Sequence, residues 1–289
     1  MIEAIFENLL ESLHQQGQEE MAGDWEDEVV AGMEALRLAY KNLTAQGRDG
    51  IDYTGLSVQA AYIFVYAIGR AEFTYQLLKQ HRAKYGEPIF KNSVAKITSL
   101  GGGPGSEIAG IAKYILDPAS GENVDSMEYW VFDKNGEWEN LCQSIVDGVS
   151  EFLPVKLEYD SLDLCDRAAC NRLSLKGHDM LVLSFVISEL CALPNKHDVL
   201  EGLRAIYKTL DGGAKIFYND SSASDFYYFF NESKTYVKGL GKVSQVSEVI
   251  DDISINLNFG ATFERFEEFS GVSPHVNSDA LSKLHVRAI

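Results

Sequence analysis

A glycine-rich segment carries the clearest chemical signal in the sequence. It reads Leu100-Gly101-Gly102-Gly103-Pro104-Gly105-Ser106 and follows a short apolar run. Glycines permit a tight turn and let a ligand approach the backbone without meeting a Cβ atom. A helix that starts near Ser106 turns its free N–H groups and the positive end of its dipole toward the same place. The spacing therefore predicts a strand–turn–helix unit that holds a cofactor, and turns of this kind serve several cofactors.

Acidic residues follow the next two apolar runs. Asp133 comes directly after residues 129–132, and Asp160 comes directly after residues 155–159. A carboxylate at the end of a second parallel strand can accept hydrogen bonds from both hydroxyls of a ribose. One at the end of the third strand can accept a hydrogen bond from an adenine amine. Asp133 can also cap the following helix, and the two roles are compatible.

Further polar residues stand at the ends of two later apolar runs. Ser184 and Glu189 belong to the fourth run and the residues after it, while Asn219 and Asp220 close the fifth. The carboxyl ends of parallel strands meet at one edge of a sheet, where ligands bind. Glu189 and Asp220 are therefore candidate general bases, and Asn219 is a candidate substrate contact. A carboxylate at a helix start explains Glu189 nearly as well.

The elements around these residues alternate between short apolar runs and amphipathic helical stretches. Runs separated by helices of this length imply βαβ crossovers and a mostly parallel sheet. The predicted strands are 94–100, 129–132, 155–159, 180–186, 214–218, 261–269 and 283–289. The predicted helices between them are 106–116, 137–150, 162–171 and 196–210, and 225–252 is read as rich in helix. The sequence predicts an α/β, doubly wound domain over residues 91–289.

Taken in order, these motifs resemble those of class I S-adenosylmethionine-dependent methyltransferases. The glycine segment is similar to the family's first motif, Asp133 to its ribose-binding acid and Asp160 to its adenine-contacting acid. Residues 179–190 are similar to the fourth motif and 210–216 to the sixth. The resemblance spans residues 90–289 and implies a seven-stranded sheet whose last strand is antiparallel.

This resemblance implies a cofactor and a reaction. The cofactor is S-adenosylmethionine, and the reaction is in-line methyl transfer to a small molecule or a protein side chain. Besides the two acids, the residues expected to contact the cofactor are Gly101, Gly103, Gly105, Ser161 and Ser184. Where the family usually has an acid two positions before the first glycine, this chain has Ser99. The usual contact with the methionine end of the cofactor is therefore altered.

Residues 1–90 show helical periodicity and are predicted to form a helical cap. An apolar stripe marks a first helix at 2–13, residues 15–27 are predicted as a loop, and two helices follow, the last at 57–84. Tyr62, Tyr66 and Arg70 lie on one face of the last helix. We expect Arg70 to bind the cofactor carboxylate and the two tyrosines to roof the substrate. Alternatively, these aromatic side chains pack the cap against the sheet.

Other functions of such a fold stay open. A nicotinamide-dependent dehydrogenase with a G-x-G-x-x-G turn needs a glycine where Ser106 stands, so it is disfavoured. Aminopropyl or aminocarboxypropyl transfer from a related cofactor is an alternative, as is a binding module without catalysis. The fourth motif reads Ser184-Phe185-Val186-Ile187 and lacks the Asn/Asp-Pro-Pro-aromatic pattern of enzymes that methylate planar amide or adenine nitrogens.

Charge and composition limit the kinds of partner and ligand that we expect. The chain has 25 Lys and Arg against 43 Asp and Glu among 289 residues, a net charge of −18. Such acidity disfavours broad contacts with nucleic acid or anionic membranes. The four cysteines have no zinc-ligand spacing, so no metal is expected, and reduced thiols fit a cytoplasmic protein. No stretch approaches the roughly 20 apolar residues that a membrane-spanning helix needs.

Overall fold

The computed structural model describes residues 1–43, 51–235, 237 and 245–287. Its N-terminal part is helical, with α1 (Ile2–Met21), α2 (Trp25–Lys41), α3 (Leu56–Tyr62) and α4 (Ile68–Tyr85). A π-helical turn, Ile63–Ala67, joins α3 to α4 in one continuous rod. Such turns are rare and are frequent at functional sites. The predicted third helix at 57–84 is therefore present, with its register shifted in the middle.

The first helix is longer than predicted. The predicted loop at 15–27 is wrong, because α1 continues to Met21 and α2 begins at Trp25. A Cβ at Gly17 would lie 2.2 Å from the Trp25 ring, so this glycine makes room for the tryptophan. The indole N–H of Trp25 donates a 3.0 Å hydrogen bond to His14. Here the glycine is a packing position and does not end the helix.

Strands and helices alternate along the chain from residue 94 to residue 234. The strands are β1 (Val94–Leu100), β2 (Ser126–Asp133), β3 (Val155–Ser161), β4 (Met180–Ser184), β5 (Lys215–Ser221), β6 (Gln245–Ser254) and β7 (Asn277–Val286). The remaining helices are α5 (Ser106–Leu116), α6 (Glu139–Ser150), α7 (Arg167–Arg172), α8 (Ile187–Leu190), α9 (Lys196–Thr209), α10 (Ser224–Lys234) and α11 (Ala261–Ser270).

The strands form one sheet in the order β3-β2-β1-β4-β5-β7-β6. Strands β1 to β5 pair in parallel, and β7 runs antiparallel to both of its neighbours. The prediction of an α/β fold with a mostly parallel sheet is confirmed. From β1 the chain winds outward to β3, returns to β4 and winds outward in the other direction. The reversal between β1 and β4 is the place where open α/β sheets bind ligands.

Side chains alternate between the two faces of the sheet, as strand geometry requires. On β4, Met180 and Val182 join one apolar cluster, whereas Leu181 and Leu183 join the other. The first cluster also contains buried residues of α1 to α6, so the N-terminal helices cover the same face as α5 and α6. His81 of α4 contacts the sheet directly, 2.8 Å from the Ser282 hydroxyl. The proposed division at residue 90 falls in the connection between α4 and β1.

Two predictions near the C-terminus are wrong. Residues 261–269 form α11 rather than a strand, because Phe263 and Phe266 face Phe64 and are both buried. Within 225–252, read as rich in helix, the described residues are helical as far as Lys234, and from residue 245 onward β6 pairs with β7. Its Val and Ile residues favour strands once a partner strand is present.

The last strand overlaps the predicted 283–289, although residues 288–289 lie outside the described part of the chain. Across the described residues, no helix combines the length and apolar character needed to cross a bilayer.

Candidate active site

A cavity of about 400 Å³ opens where β1 and β4 end. Gly101 and Gly103 line it after β1, and Phe185 and Val186 line it after β4. Helices and loops from the N-terminal segment provide the opposite wall through Tyr53, Tyr62 and Arg70. The cavity therefore lies at the reversal point of the sheet, between the strand ends and the helical segment.

The glycine turn exposes its backbone to the cavity. Gly101 has φ +61° and Gly103 φ +51°, values that favour glycine. A Cβ at Gly101 would lie 2.3 Å from Val186 Cγ2. At Gly103 the nearest protein atom to a Cβ would be Trp138 Nε1 at 3.9 Å, so this position borders open space. The turn then leads into α5, with Gly105 as the residue before its first turn.

Asp133 stands at the end of β2 and orders the turn. Its Oδ2 accepts a 2.8 Å hydrogen bond from the Gly103 N–H, and its Oδ1 accepts one of the same length from the Asn135 N–H. Burial raises the pKa of Asp133, and these backbone hydrogen bonds offset part of the rise. Each carboxylate oxygen keeps a second lone pair, so the side chain can still accept from a ligand hydroxyl. Asp133 lines the cavity.

The segment after the third strand places a different acid at the cavity from the one predicted. Asp160 is exposed and its carboxylate accepts from the adjacent Ser161 N–H, while the Ser161 hydroxyl contacts the Lys134 carbonyl. Neither residue lines the cavity, because β3 extends through Ser161 and the chain turns inward only at Leu162. Asp163 does line it, 3.1 Å from Lys134 Nζ. Asp160 and Ser161 therefore lie off the cavity, and Asp163 is the acidic side chain of this segment that lines it.

Arg70 reaches the cavity from α4 within a group of aromatic side chains. Its Nη1 donates to the Tyr62 hydroxyl at 2.6 Å and its Nη2 to the Tyr40 hydroxyl at 3.0 Å. The guanidinium carbon lies 4.6 Å from the Phe185 ring centre and 5.8 Å from that of Tyr66. Among the described residues, no carboxylate forms an ion pair with Arg70. Its hydrogen bonds go to phenols, and the charge of the buried Glu107 also acts on it.

A chain of hydrogen bonds connects Arg70 to Glu189. Tyr53 donates to Glu189 Oε1 at 2.7 Å and lies 2.8 Å from the Tyr40 hydroxyl. A phenol has a single proton, so Tyr40 is the donor to Tyr53. Burial raises the pKa of Tyr53, with the Glu189 charge adding to the rise, so the phenol stays protonated. Glu189 lies on the cavity wall, as expected from its position after β4.

The remaining predicted residues stand behind the wall. Asp220 is fully buried, and its carboxylate accepts from the backbone N–H groups of Ser188 and Ser221. Burial raises its pKa to about 6, and it holds the start of α8. Asn219 is also buried, with a 3.5 Å contact to Ser184. Ser184, Asn219 and Asp220 do not line the cavity.

The position of Tyr66 also differs from the expectation. Its ring packs on Tyr40 and Tyr62 rather than on the cavity wall. The predicted residues that meet at the cavity are Gly101, Gly103, Asp133, Tyr62, Arg70 and Glu189. In the part of the chain that is described, no group of His, Cys, Asp or Glu could hold a metal ion.

Several wall residues were missed by sequence reasoning. Tyr53 lies in a loop without a motif, and only its aromatic type could have suggested a contact. Trp138 follows Asp133 by five residues, at the start of the helix after β2, and this proximity was an available signal.

Ser99, which stands where the family usually has an acid, bonds to the Tyr129 hydroxyl at 2.7 Å. The carboxylate of Glu107 on α5 is buried, which raises its pKa, and its charge acts on both Tyr129 and Arg70.

Solved structures of methyltransferases are among those similar to the chain. An S-adenosylmethionine-dependent methyltransferase from Methanosarcina mazei is 8% identical, with a TM-score of 0.43, covering 69% of this chain and 95% of that one. The trans-methyltransferase CalH, in complex with SAH, is 15% identical, with a TM-score of 0.43 and coverage of 96% and 73%. The N-methyltransferase NodS from Bradyrhizobium japonicum, in complex with S-adenosyl-L-homocysteine, is 12% identical, with a TM-score of 0.40 and coverage of 74% and 98%.

Sequence comparisons add no closer relative. No protein-family model matches the chain, and no curated protein matches it. At these identities and TM-scores the solved structures are distant likenesses. The function assigned to the cavity therefore depends on the residues of this chain.

Proposed function

We propose that the chain binds S-adenosylmethionine in this cavity and acts as a methyltransferase. One observation carries the proposal: Arg70 faces a cavity beside a glycine turn, donates its hydrogen bonds to phenols and forms no ion pair with a carboxylate among the described residues. A buried cation whose hydrogen bonds go to neutral phenols favours an anionic group from a ligand. The α-carboxylate of the cofactor is such a group.

The residues present fit the cofactor at both ends. The open space at Gly103 allows close approach to the backbone, and Asp133 can accept from ribose hydroxyls. Leu162 and Leu164 give an apolar surface beside Asp163, which suits an adenine ring with an amine at its edge. A volume of about 400 Å³ lies within the range of small-molecule sites, about 300–1,000 Å³.

The reaction needs orientation and a dry site more than covalent help from the protein. When bound, the cofactor supplies a methyl group on a sulfonium, whose carbon–sulfur bonding electrons leave with the sulfur. Tyr53, Tyr62 and Trp138 form a contiguous aromatic wall, with ring centres 5.2–5.7 Å apart, that excludes water. Glu189 can take a proton from the nucleophile, with its carboxylate oriented by Tyr53.

The test is calorimetry with two ligands. S-adenosylhomocysteine carries the amino-acid group, and 5′-methylthioadenosine lacks it. We expect the wild type to bind both and Arg70→Met to weaken S-adenosylhomocysteine by about 30-fold, or about 2 kcal/mol, without changing methylthioadenosine binding. The matched control is Arg37→Met, since Arg37 is exposed and its ion-pair partner among the described residues is Glu34, at 3.7 Å.

Three other outcomes of these titrations would lead to different conclusions. If the wild type binds neither ligand, the proposal is wrong. If Arg70→Met weakens both ligands equally, Arg70 supports the cavity without contacting the amino-acid group. Tighter binding of decarboxylated S-adenosylmethionine than of the parent cofactor would favour aminopropyl transfer, because that cofactor has no carboxylate for Arg70.

A further inference from the structure

A short segment of the chain crosses the cavity. Residues 51–55, the strap, join the wall beyond β4 to the wall beyond β2: Tyr53 donates to Glu189 at 2.7 Å, and the Gly55 N–H donates to Glu137 Oε2 at 3.2 Å. The Tyr53 ring also contacts Trp138, with ring centres 5.7 Å apart. A group that binds beside Glu189 therefore lies under the strap, and a folded protein surface would have to displace it.

The wall beside Glu189 is apolar. It consists of Ile51 on the strap and of Val186, Leu190 and Leu193 around α8, with Phe185 next to them. Phe185 has φ +54°, a backbone conformation that costs about 1–3 kcal/mol in a non-glycine residue and that is frequent at functional sites. A charged ligand group would lose its hydration against these side chains.

Few of the described charged side chains lie at the strap end of the cavity, and those that do are already hydrogen-bonded. Among the described lining residues beside the strap, the charged side chains are Asp52, Arg70 and Glu189. Arg70 is bonded to Tyr40 and Tyr62, and Asp52 is exposed and bonded to Thr54. Glu189 accepts from Tyr53, and a carboxylate can accept several hydrogen bonds at once. Of these three charged side chains, Glu189 is the hydrogen-bond acceptor that belongs to α8, next in sequence to the apolar Leu190 of the wall.

We propose that the methyl acceptor is a small, largely apolar molecule whose single O–H or N–H nucleophile faces Glu189. This inference rests on the proposed methyltransferase function and chooses a small molecule over a protein side chain. Glu189 accepts the proton that the nucleophile gives up, and Tyr53 is a positioning residue that keeps the carboxylate directed at the cavity.

Three phenols of nearly equal shape test the preference. They are 4-propylphenol, which is neutral, tyramine, which is cationic, and 3-(4-hydroxyphenyl)propanoate, which is anionic. Each is titrated calorimetrically into protein saturated with S-adenosylhomocysteine, alongside a short peptide that contains lysine and glutamate. We expect 4-propylphenol to bind at least about tenfold more tightly than the other three, because a charge is costly to bury at this wall. Equal or tighter binding of a charged phenol or of the peptide would overturn the inference, as would no binding of any probe.

Two substitutions locate the binding at the wall. Leu193→Asp should weaken 4-propylphenol by about tenfold or more and leave S-adenosylhomocysteine affinity within about twofold. The control is Leu38→Asp on α2, where the leucine is 56% exposed, and it should change neither affinity. Unchanged 4-propylphenol binding in Leu193→Asp would place the phenol elsewhere and reject the inference.

The role of Glu189 has its own measurement. Glu189→Gln should bind both ligands within about threefold of the wild type but lower transfer of labelled methyl to 4-propylphenol by about 100-fold or more. An unchanged transfer rate would reject Glu189 as the proton acceptor. If the protein fails to bind S-adenosylhomocysteine, the proposed function fails. If it binds that ligand without preferring the neutral phenol, only this inference fails.

Discussion

The two walls of the cavity are built in different ways. The sheet wall presents Gly101, Gly103 and Asp133, which follow directly from the ends of β1 and β2. The helical wall presents Tyr53, Tyr62 and Arg70, which come from the strap, α3 and α4. Backbone conformation shapes the first wall, whereas a chain of side-chain hydrogen bonds shapes the second.

This difference separates the two tasks of the site. The sheet wall can hold the adenosyl part of a ligand, which S-adenosylhomocysteine and methylthioadenosine share. The helical wall can hold the amino-acid part and the acceptor. Changes in the sheet wall should therefore affect both ligands, and changes in the helical wall only the one with a carboxylate.

The largest expected effect comes from Gly101→Ala. A Cβ there combines a strained φ of +61° with a 2.3 Å approach to Val186, which together cost about 4 kcal/mol. We expect the melting temperature to fall and the affinities for both ligands to drop by about 100-fold or more. Differential scanning calorimetry and ligand titration measure the two effects.

Gly136→Ala is the matched control, since no atom lies within 4 Å of a Cβ at that position. It should keep stability within about 0.5 kcal/mol and leave both affinities unchanged. If the two variants behave alike, the glycine turn does not shape the sheet wall.

The next effect concerns Asp220, which lies behind the sheet wall. Its pKa of about 6 in the folded chain exceeds the ordinary value of 3.8, so the folded state binds the proton more tightly. Stability from this group is therefore present below pH 4 and is lost as the pH rises through 6, by about 3 kcal/mol. Urea unfolding of wild type and Asp220→Asn at pH 4 and pH 7 should show this relative loss in the wild type. An equal pH dependence in both proteins would contradict it.

A smaller effect distinguishes two acids. Asp133→Asn should weaken S-adenosylhomocysteine and methylthioadenosine alike by about tenfold, because it removes a charged hydrogen-bond acceptor for the ribose. Asp160→Asn, at an exposed position off the cavity, should leave both affinities within about twofold. The reverse ranking in titrations would return the cofactor contact to Asp160.

The smallest effect is expected from Tyr40→Phe in the helical wall. The variant removes the acceptor for Arg70 Nη2 and the donor to Tyr53, so we expect about fivefold weaker S-adenosylhomocysteine binding and unchanged methylthioadenosine binding. Tyr228→Phe, whose ring is 72% exposed, is the control. An equal loss for both ligands would mean that Tyr40 supports the whole cavity rather than this wall.

The difference between the sheet wall and the helical wall also explains which residues of the cavity can be predicted from the sequence. Gly101, Gly103 and Asp133 can be placed at the cavity from the sequence, because a strand end, a turn and a helix start lie within a few residues of one another. The predicted third strand ends at residue 159, whereas β3 continues to Ser161, and each residue added to a strand reverses the side-chain direction, so the sequence does not show that Asp160 lies off the cavity. Tyr53 could not be found, since its contact with Glu189 joins residues 136 positions apart.

Contacts between distant segments also determine which C-terminal residues form strands and which form helices. Residues of β6 have apolar types compatible with a helix or a strand, and the pairing with β7 selects the strand. Phe263 and Phe266 of α11 are buried against Phe64 of the N-terminal segment, which no local pattern discloses. Local rules therefore predicted the parallel core, and they were least reliable where distant segments meet.

The most direct test is a crystal structure of the protein with S-adenosylhomocysteine. The account predicts ligand density along the Gly101–Gly105 turn, with the ribose hydroxyls on Asp133 and the carboxylate on Arg70. Well-ordered crystals grown at saturating ligand that lack density there, or that show the carboxylate turned away from Arg70, would contradict it.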